Sequence, residues 1–130
     1  MKTVLIVDDE PSVQNVLKRI CSLLGYAPVI ADSSENALKK FSMGSFDLVI
    51  LDIVMPEMGG FEVAREMKRI RPDQIIVMVS GLGREEALNR SYIENVYVED
   101  FLSKPFSYEN IKSVLTNVLN NDKKFALRGG

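Results

Sequence analysis

The chain has 130 residues, the length of one ordinary domain, and is 46% apolar and 26% charged. A chain of this size can bury about two thirds of its unfolded surface around one core, and its composition excludes disordered, collagenous and coiled-coil classes. Sixteen basic against eighteen acidic side chains give a net charge of −2, so there is no electrostatic footprint for gripping a phosphate backbone and direct nucleic-acid binding is not expected.

The first apolar run, Val4 to Val7, is too short for a signal peptide or a membrane span, so no membrane association is expected. A periodic helical pattern follows through Val13, Val16, Leu17, Ile20, Leu23 and Leu24 and stops at Gly25. Ala27 to Ala31 is a weaker run. Asp32, with Glu35 three residues on, then resembles a capping box opening a helix that carries Ala37, Leu38 and Phe41. Leu48 to Leu51 is the third run; after Pro56 and Gly59-Gly60 comes a helix with Phe61, Ala64 and Met67 facing inward, ending before Pro72. Ile75 to Val79 is the fourth run, followed from about Arg84 by a helix with a poor apolar pattern in Ala87, Leu88 and Ile93. Val96 to Leu102 reads as a fifth strand, and Ser107 as the cap of a helix through Ile111, Val114, Leu115, Val118 and Leu119. The pattern is lost over residues 121–130, which read as a tail or a truncated linker after a domain over residues 1–120.

Strands separated by helices pair in parallel through right-handed crossovers, with helices on both faces. The expected fold is therefore α/β: a doubly wound, five-stranded parallel sheet in the order 2-1-3-4-5, the second run being short and the fifth carrying Glu99 and Asp100, as suits edge strands.

Ligands of such sheets sit beyond the carboxyl ends of the strands, which directs attention to the residues that follow each run. These are Asp8 and Asp9, Asp32, Asp52, Ser80 and, after the fifth run, Lys104. Singly, most have ordinary explanations. Asp9 before Pro11 suits a helix N-terminus, Asp32 is most simply an N-cap, Asp52 could open a turn, and Lys104 could be a solvated surface lysine. Jointly, three carboxylates converging on one cleft repel one another, which proton uptake or a bound cation would relieve. Mg2+ suits them, because it accepts one or two carboxylates plus waters and a phosphoryl oxygen. Asp52 facing such a metal and a lysine can act as a nucleophile toward phosphorus, with Ser80 in place to hydrogen-bond a phosphoryl oxygen. The chain holds no histidine, so imidazole chemistry and the usual zinc ligands are excluded. Its single cysteine, Cys21, cannot form an internal disulfide and suits a reducing cytoplasm.

The stretches VLIVDDEP (Val4 to Pro11), LVILDIVMPEMGG (Leu48 to Gly60), Ser80-Gly81 and FLSKPF (Phe101 to Phe106) resemble the CheY-like receiver domain of bacterial two-component response regulators, over residues 2 to about 120. The resemblance implies a flavodoxin-like fold in which Asp52 is the phosphoacceptor, with Mg2+ held by Asp8, Asp9, Asp52 and the Val54 carbonyl and the phosphoryl group bound by Lys104. It also implies that Ser80 and Phe101 are the switch pair that reports phosphorylation on the surface of the fourth helix, fifth strand and fifth helix, and that the Lys104-Pro105 bond is cis. The implied partners are a histidine kinase or phosphotransfer protein upstream and, downstream, a protein target, an attached output domain or a phosphorylation-dependent dimer. The domain would catalyse only its own phosphorylation and dephosphorylation.

Phe101 stands where the family frequently has tyrosine. Val54 and Leu82, two residues after Asp52 and Ser80, offer nothing to orient an attacking water, so a long-lived phosphoryl state is expected. The competing reading is a Mg2+-dependent phosphohydrolase with an aspartyl nucleophile. Such enzymes usually place a second aspartate two residues after the first, where this chain has Val54. A binding-only receiver would need loss of an acid, the hydroxyl or the lysine, and none is lost.

Overall fold

The computed structural model describes the backbone of residues 1–129 and the side chains of residues 1–120. The chain alternates strand and helix throughout: β1 (Thr3–Val7), α1 (Pro11–Leu23), β2 (Ala27–Ala31), α2 (Ser34–Met43), β3 (Leu48–Asp52), α3 (Gly60–Ile70), β4 (Ile76–Ser80), α4 (Arg84–Glu94), β5 (Asp100–Ser103) and α5 (Tyr108–Gly129). All neighbouring strands pair in parallel, in the expected order β2-β1-β3-β4-β5. β3 and β4 are buried along their whole length, which is why they read as unbroken apolar runs, whereas β2 at the edge is mostly half-buried.

The alternation of side chains along each strand divides the interior into two layers. Leu5, Val7, Val49, Leu51, Ile76, Met78 and Phe101 face one side, with Phe41 of α2, Phe61, Val63 and Met67 of α3, and Ala87 of α4. Val4, Ile6, Leu48, Ile50, Val77, Val79 and Leu102 face the other, with Leu17, Ile20 and Cys21 of α1 and Ile111, Leu115 and Val118 of α5. Burial pushes the Cys21 thiol up to about 12, so it packs as a small apolar side chain.

Some local expectations are corrected. Ser33 rather than Asp32 caps α2, because its hydroxyl is the group that reaches the Asn36 N–H, at 3.0 Å. Asp32 is exposed and instead accepts from the Asn36 side chain at 3.1 Å. β5 begins at Asp100 and not at Val96, since Asn95 closes α4 at φ 57 and Ser91 Oγ donates to the Val96 carbonyl. On α4 the buried stripe is Ala87 and Ser91, one turn apart, so Leu88 and Ile93 fall outside it and are exposed. Ser107 caps α5 as expected, accepting from the Asn110 N–H at 3.1 Å, and Lys104-Pro105 is cis. The proposed tail over residues 121–130 lies outside the described side chains.

The turn after β3 depends on Gly60. A Cβ there would lie 2.2 Å from the Asp52 carbonyl oxygen and 2.8 Å from Ile53 Cα. The close approach lets the Gly60 N–H donate to the Ile53 carbonyl at 2.8 Å, folding the start of α3 onto the end of β3. Gly60→Ala is expected to cost about 1–3 kcal/mol in urea unfolding. Gly81→Ala, where a Cβ meets nothing within 4 Å, should stay within about 0.5 kcal/mol of wild type. Equal effects would contradict this account of the turn.

Candidate functional site

Parallel pairing brings the carboxyl ends of the central strands to one edge of the sheet. Val7 pairs with Leu51 and Asp52 with Val79, so Asp8, just past β1, stands beside Asp52 at the end of β3. Ser80 pairs with Ser103, and the Lys104 N–H donates to the Ser80 carbonyl at 2.8 Å, which fixes the start of the lysine side chain one strand further on. From there Lys104 reaches back across β4. Its Nζ lies 3.0 Å from Asp52 Oδ2, 3.7 Å from Asp8 Oδ2 and 3.8 Å from Glu10 Oε1.

Both central acids are buried, Asp8 at 1% and Asp52 at 4% exposure. Asp8 Oδ1 accepts the Glu10 N–H at 2.9 Å and Asp52 Oδ1 the Val54 N–H at 3.1 Å. Asp8 Oδ2 is buried with no hydrogen-bond partner among the described residues. Burial, with the nearby Asp52 adding to it, raises Asp8 to about 6 against the opposing effects of the Glu10 N–H and Lys104. Burial also works against the Lys104 ammonium, but the hydrogen bond to Asp52 and the charges of Asp52, Asp8 and Glu10 outweigh it and raise its pKa.

Of the other residues singled out in the sequence, Asp9, Val54 and Ser80 lie at this edge of the sheet. Asp9 is exposed, and it and Glu10 each offer a carboxylate oxygen within 4.8 Å of those of Asp8 and Asp52. Val54 is 72% exposed and lines, with Asp9, Glu10, Asp52 and Lys104, an open depression at this edge. Ser80 is buried, its Oγ accepting the Leu82 N–H at 2.9 Å. Phe101 is buried with Ala87, Val96 and Val98 on the α2–α4 side of the sheet. Asp32 takes no part.

Two contributors escaped the reading of strand ends. Glu10 belongs to the acidic cluster, and a third consecutive acid before Pro11 was the available signal. Gln14 donates from Nε2 to the Asp8 carbonyl at 2.6 Å, tying the first turn of α1 to the end of β1; nothing in the sequence pattern marks it.

A comparison with known families matches residues 4–116 to the response regulator receiver domain. The chain belongs to this family. A probable transcriptional regulator, ycf27, of Guillardia theta is 36% identical over 123 residues, which is 95% of this chain and 47% of that protein. The chain thus spans about half the length of the curated relatives it matches. Among solved structures, a CheY-like receiver domain protein from Methanospirillum hungatei superposes with a TM-score of 0.85 at 27% identity, covering 95% of this chain and 98% of that one. The response regulator TrrA of Thermotoga maritima, solved in complex with Mg2+ and BeF, gives a TM-score of 0.80 at 34% identity and covers 91% and 99% of the two chains. Receiver domains are generally signalling domains that bind Mg2+ at an acidic pocket, and this receiver domain carries an acidic cluster. The family match does not favour the phosphohydrolase alternative. Among the described residues no helix is long and apolar enough to cross a membrane.

The raised pKa of Asp8 has a measurable consequence in Mg2+-free solution. Between about pH 4 and 6 the folded protein holds a proton on Asp8 that the unfolded chain, near 3.8, has released. The contribution of Asp8 to stability therefore falls as pH rises through this window, by at most about 1.4 kcal/mol per unit, and stays low above it. Subtracting the urea-unfolding profile of Asp8→Asn from that of wild type should isolate this fall and leave the variant the more stable protein at pH 7. A difference that rises across the window, or is flat, would contradict it.

Proposed function

We propose that this receiver domain accepts a phosphoryl group on Asp52 from a histidine kinase or phosphotransfer protein, in a Mg2+-dependent reaction, and passes the change to a partner through the surface of α4, β5 and α5. The observation that carries the reading is the placement of Asp52 Oδ2 3.0 Å from Lys104 Nζ, beside the buried Asp8 Oδ2, which accepts no hydrogen bond among the described residues. A carboxylate in that position is desolvated, oriented and provided with a cation for the charge it will carry.

The donor set suits Mg2+. Asp8, Asp9 and Asp52 supply oxygens within reach of one another, and an anionic oxygen without a hydrogen-bond partner is what a hard cation satisfies. The Val54 carbonyl is assigned as a further ligand from the family pattern. When bound, Mg2+ neutralises negative charge on the carboxylates and on an incoming phosphoryl group. In the transfer, an Asp52 carboxylate oxygen forms the bond to phosphorus while the bond to the donor breaks and its electron pair leaves with the donor. Lys104 remains beside the new acyl phosphate as a counter-charge. Ser80, on the neighbouring strand, turns its hydroxyl from the Leu82 N–H toward a phosphoryl oxygen, and Phe101, across from Met78 on β4, follows it as the second switch residue.

Upstream and downstream partners are proteins. The relatives are longer than this chain and one is named a probable transcriptional regulator, which supports a covalently attached output domain, while a separate target or a phosphorylation-dependent dimer would use the same surface. The buried Cys21 and the chemistry of a phosphodonor protein suit a cytoplasmic setting. Catalysis is limited to the domain's own phosphorylation and dephosphorylation.

Incubation with a small acyl-phosphate donor and Mg2+, followed by intact-mass measurement, should show a gain of one phosphoryl group that is lost without Mg2+ and in Asp52→Ala. Because the side chains of Val54 and Leu82 are apolar, the phosphorylated mass should decay slowly, with Val54→Asn accelerating the decay by about tenfold or more by holding a water. Labelling that persists in Asp52→Ala would overturn the assignment of Asp52.

A further inference from the structure

α4 is held to the rest of the molecule by little apolar contact, since only Ala87 and Ser91 of its eleven residues are buried. Its N-cap, Gly83, has φ 88 and no side chain to bond the first turn. Its position therefore rests to an unusual degree on polar tethers. At its carboxyl end Arg65 of α3 donates to the Glu94 carbonyl at 2.7 Å, and Ser91 Oγ donates to the Val96 carbonyl. At its amino end Arg84 pairs with Asp100, the first residue of β5.

This last pair joins two parts of the switch. Asp100 Oδ1 accepts both Arg84 Nη1 and the backbone N–H of Phe101, the latter at 2.8 Å. One carboxylate oxygen thus links the first residue of α4 to the backbone of the aromatic residue. Between Ser80 and Arg84 lie only Gly81, Leu82 and Gly83, and a Cβ on either glycine would meet nothing within 4 Å. The segment has room to move. If the Ser80 hydroxyl turns toward a phosphoryl group it releases the Leu82 N–H, and the first element that a shift of this segment pulls on is Arg84.

We propose that the Arg84–Asp100 ion pair is a latch that holds the first turn of α4 in its unphosphorylated position and so sets how readily the domain switches. The proposal rests on the reading of Asp52 as phosphoacceptor. The latch acts on the equilibrium between two arrangements: a group on Asp52 favours the released one, and the pair favours the docked one. Arg84 is 64% exposed and Asp100 18%, and a pair of that kind biases a two-state equilibrium by about two- to fivefold. That is enough to tune the resting population.

The test is the dissociation constant of beryllofluoride, used as a phosphoryl mimic at saturating Mg2+, for the full chain, Arg84→Gln, Asp100→Asn and the double variant. Asn keeps an acceptor for the Phe101 N–H while removing the charge, and Arg84 is exposed, so melting midpoints within a few degrees of wild type are expected. Each single variant should bind beryllofluoride about two- to fivefold more tightly, and the double variant no more tightly than either. The exchanged pair Arg84→Asp with Asp100→Arg should return toward wild-type affinity. Wild-type or weaker affinity in Arg84→Gln, effects that add in the double variant, or an effect confined to Asp100→Asn would each overturn the latch while leaving the phosphoacceptor reading intact. A wild-type chain that binds no beryllofluoride would overturn that reading and the latch with it.

Discussion

Two carboxylates, Asp8 and Asp52, are buried side by side at the ends of β1 and β3, with the Lys104 ammonium reaching them across a strand. Burying like charges together is unfavourable, and a protein that does so must protonate one or supply cations. Here the protein does part of each: Asp8 is held at about 6, and Lys104 is drawn toward Asp52, Asp8 and Glu10 at once. The remaining negative charge is what a divalent cation at this edge would offset, as the proposed function requires. Arrangements that lower a site's own stability while preparing it for a ligand are a common signature of function.

The fold holds this unfavourable pair because it leaves the two residues little freedom. β1 and β3 are central and parallel, and their buried runs fix the register that sets Asp8 next to Asp52. Backbone N–H groups of Glu10 and Val54 orient one oxygen of each acid, and the close approach of Gly60 to the Asp52 carbonyl folds the following turn beneath the site. Ser80 ends β4 and Lys104 follows β5, so the ends of four adjacent strands each bring a polar side chain to one edge. α4, in contrast, is lightly packed. A rigidly held carboxylate next to a weakly held helix suits the proposed conversion of a local charge change into a surface change.

The sheet order and the residues at its edge were legible in the sequence because both follow from short-range signals. Apolar runs of uniform character mark central strands, and the first polar residue after each must lie at the carboxyl edge. The departures occurred where tertiary contacts decide. Ser33 displaced Asp32 as a cap through a single hydroxyl that reaches the Asn36 N–H. Leu88 and Ile93 looked like core residues by type, yet the helix that carries them buries the neighbouring Ala87 and Ser91 stripe. Gln14 supports the Asp8 backbone from one turn into α1, a contact between residues six apart that no hydrophobic pattern encodes. Family resemblance supplied roles, such as those of Phe101 and the Val54 carbonyl, that residue chemistry alone did not.

If Asp8 and Asp52 share negative charge that Lys104 does not fully offset, Mg2+ affinity depends on all three side chains, and a Mg2+ titration by calorimetry or NMR reads that dependence. Wild type, Asp8→Asn and Lys104→Met would be titrated at pH 7. Removing the Asp8 charge should abolish or severely weaken binding, whereas removing the competing Lys104 ammonium should strengthen it. Binding unaffected by the loss of Asp8, or weakened by the loss of Lys104, would contradict this.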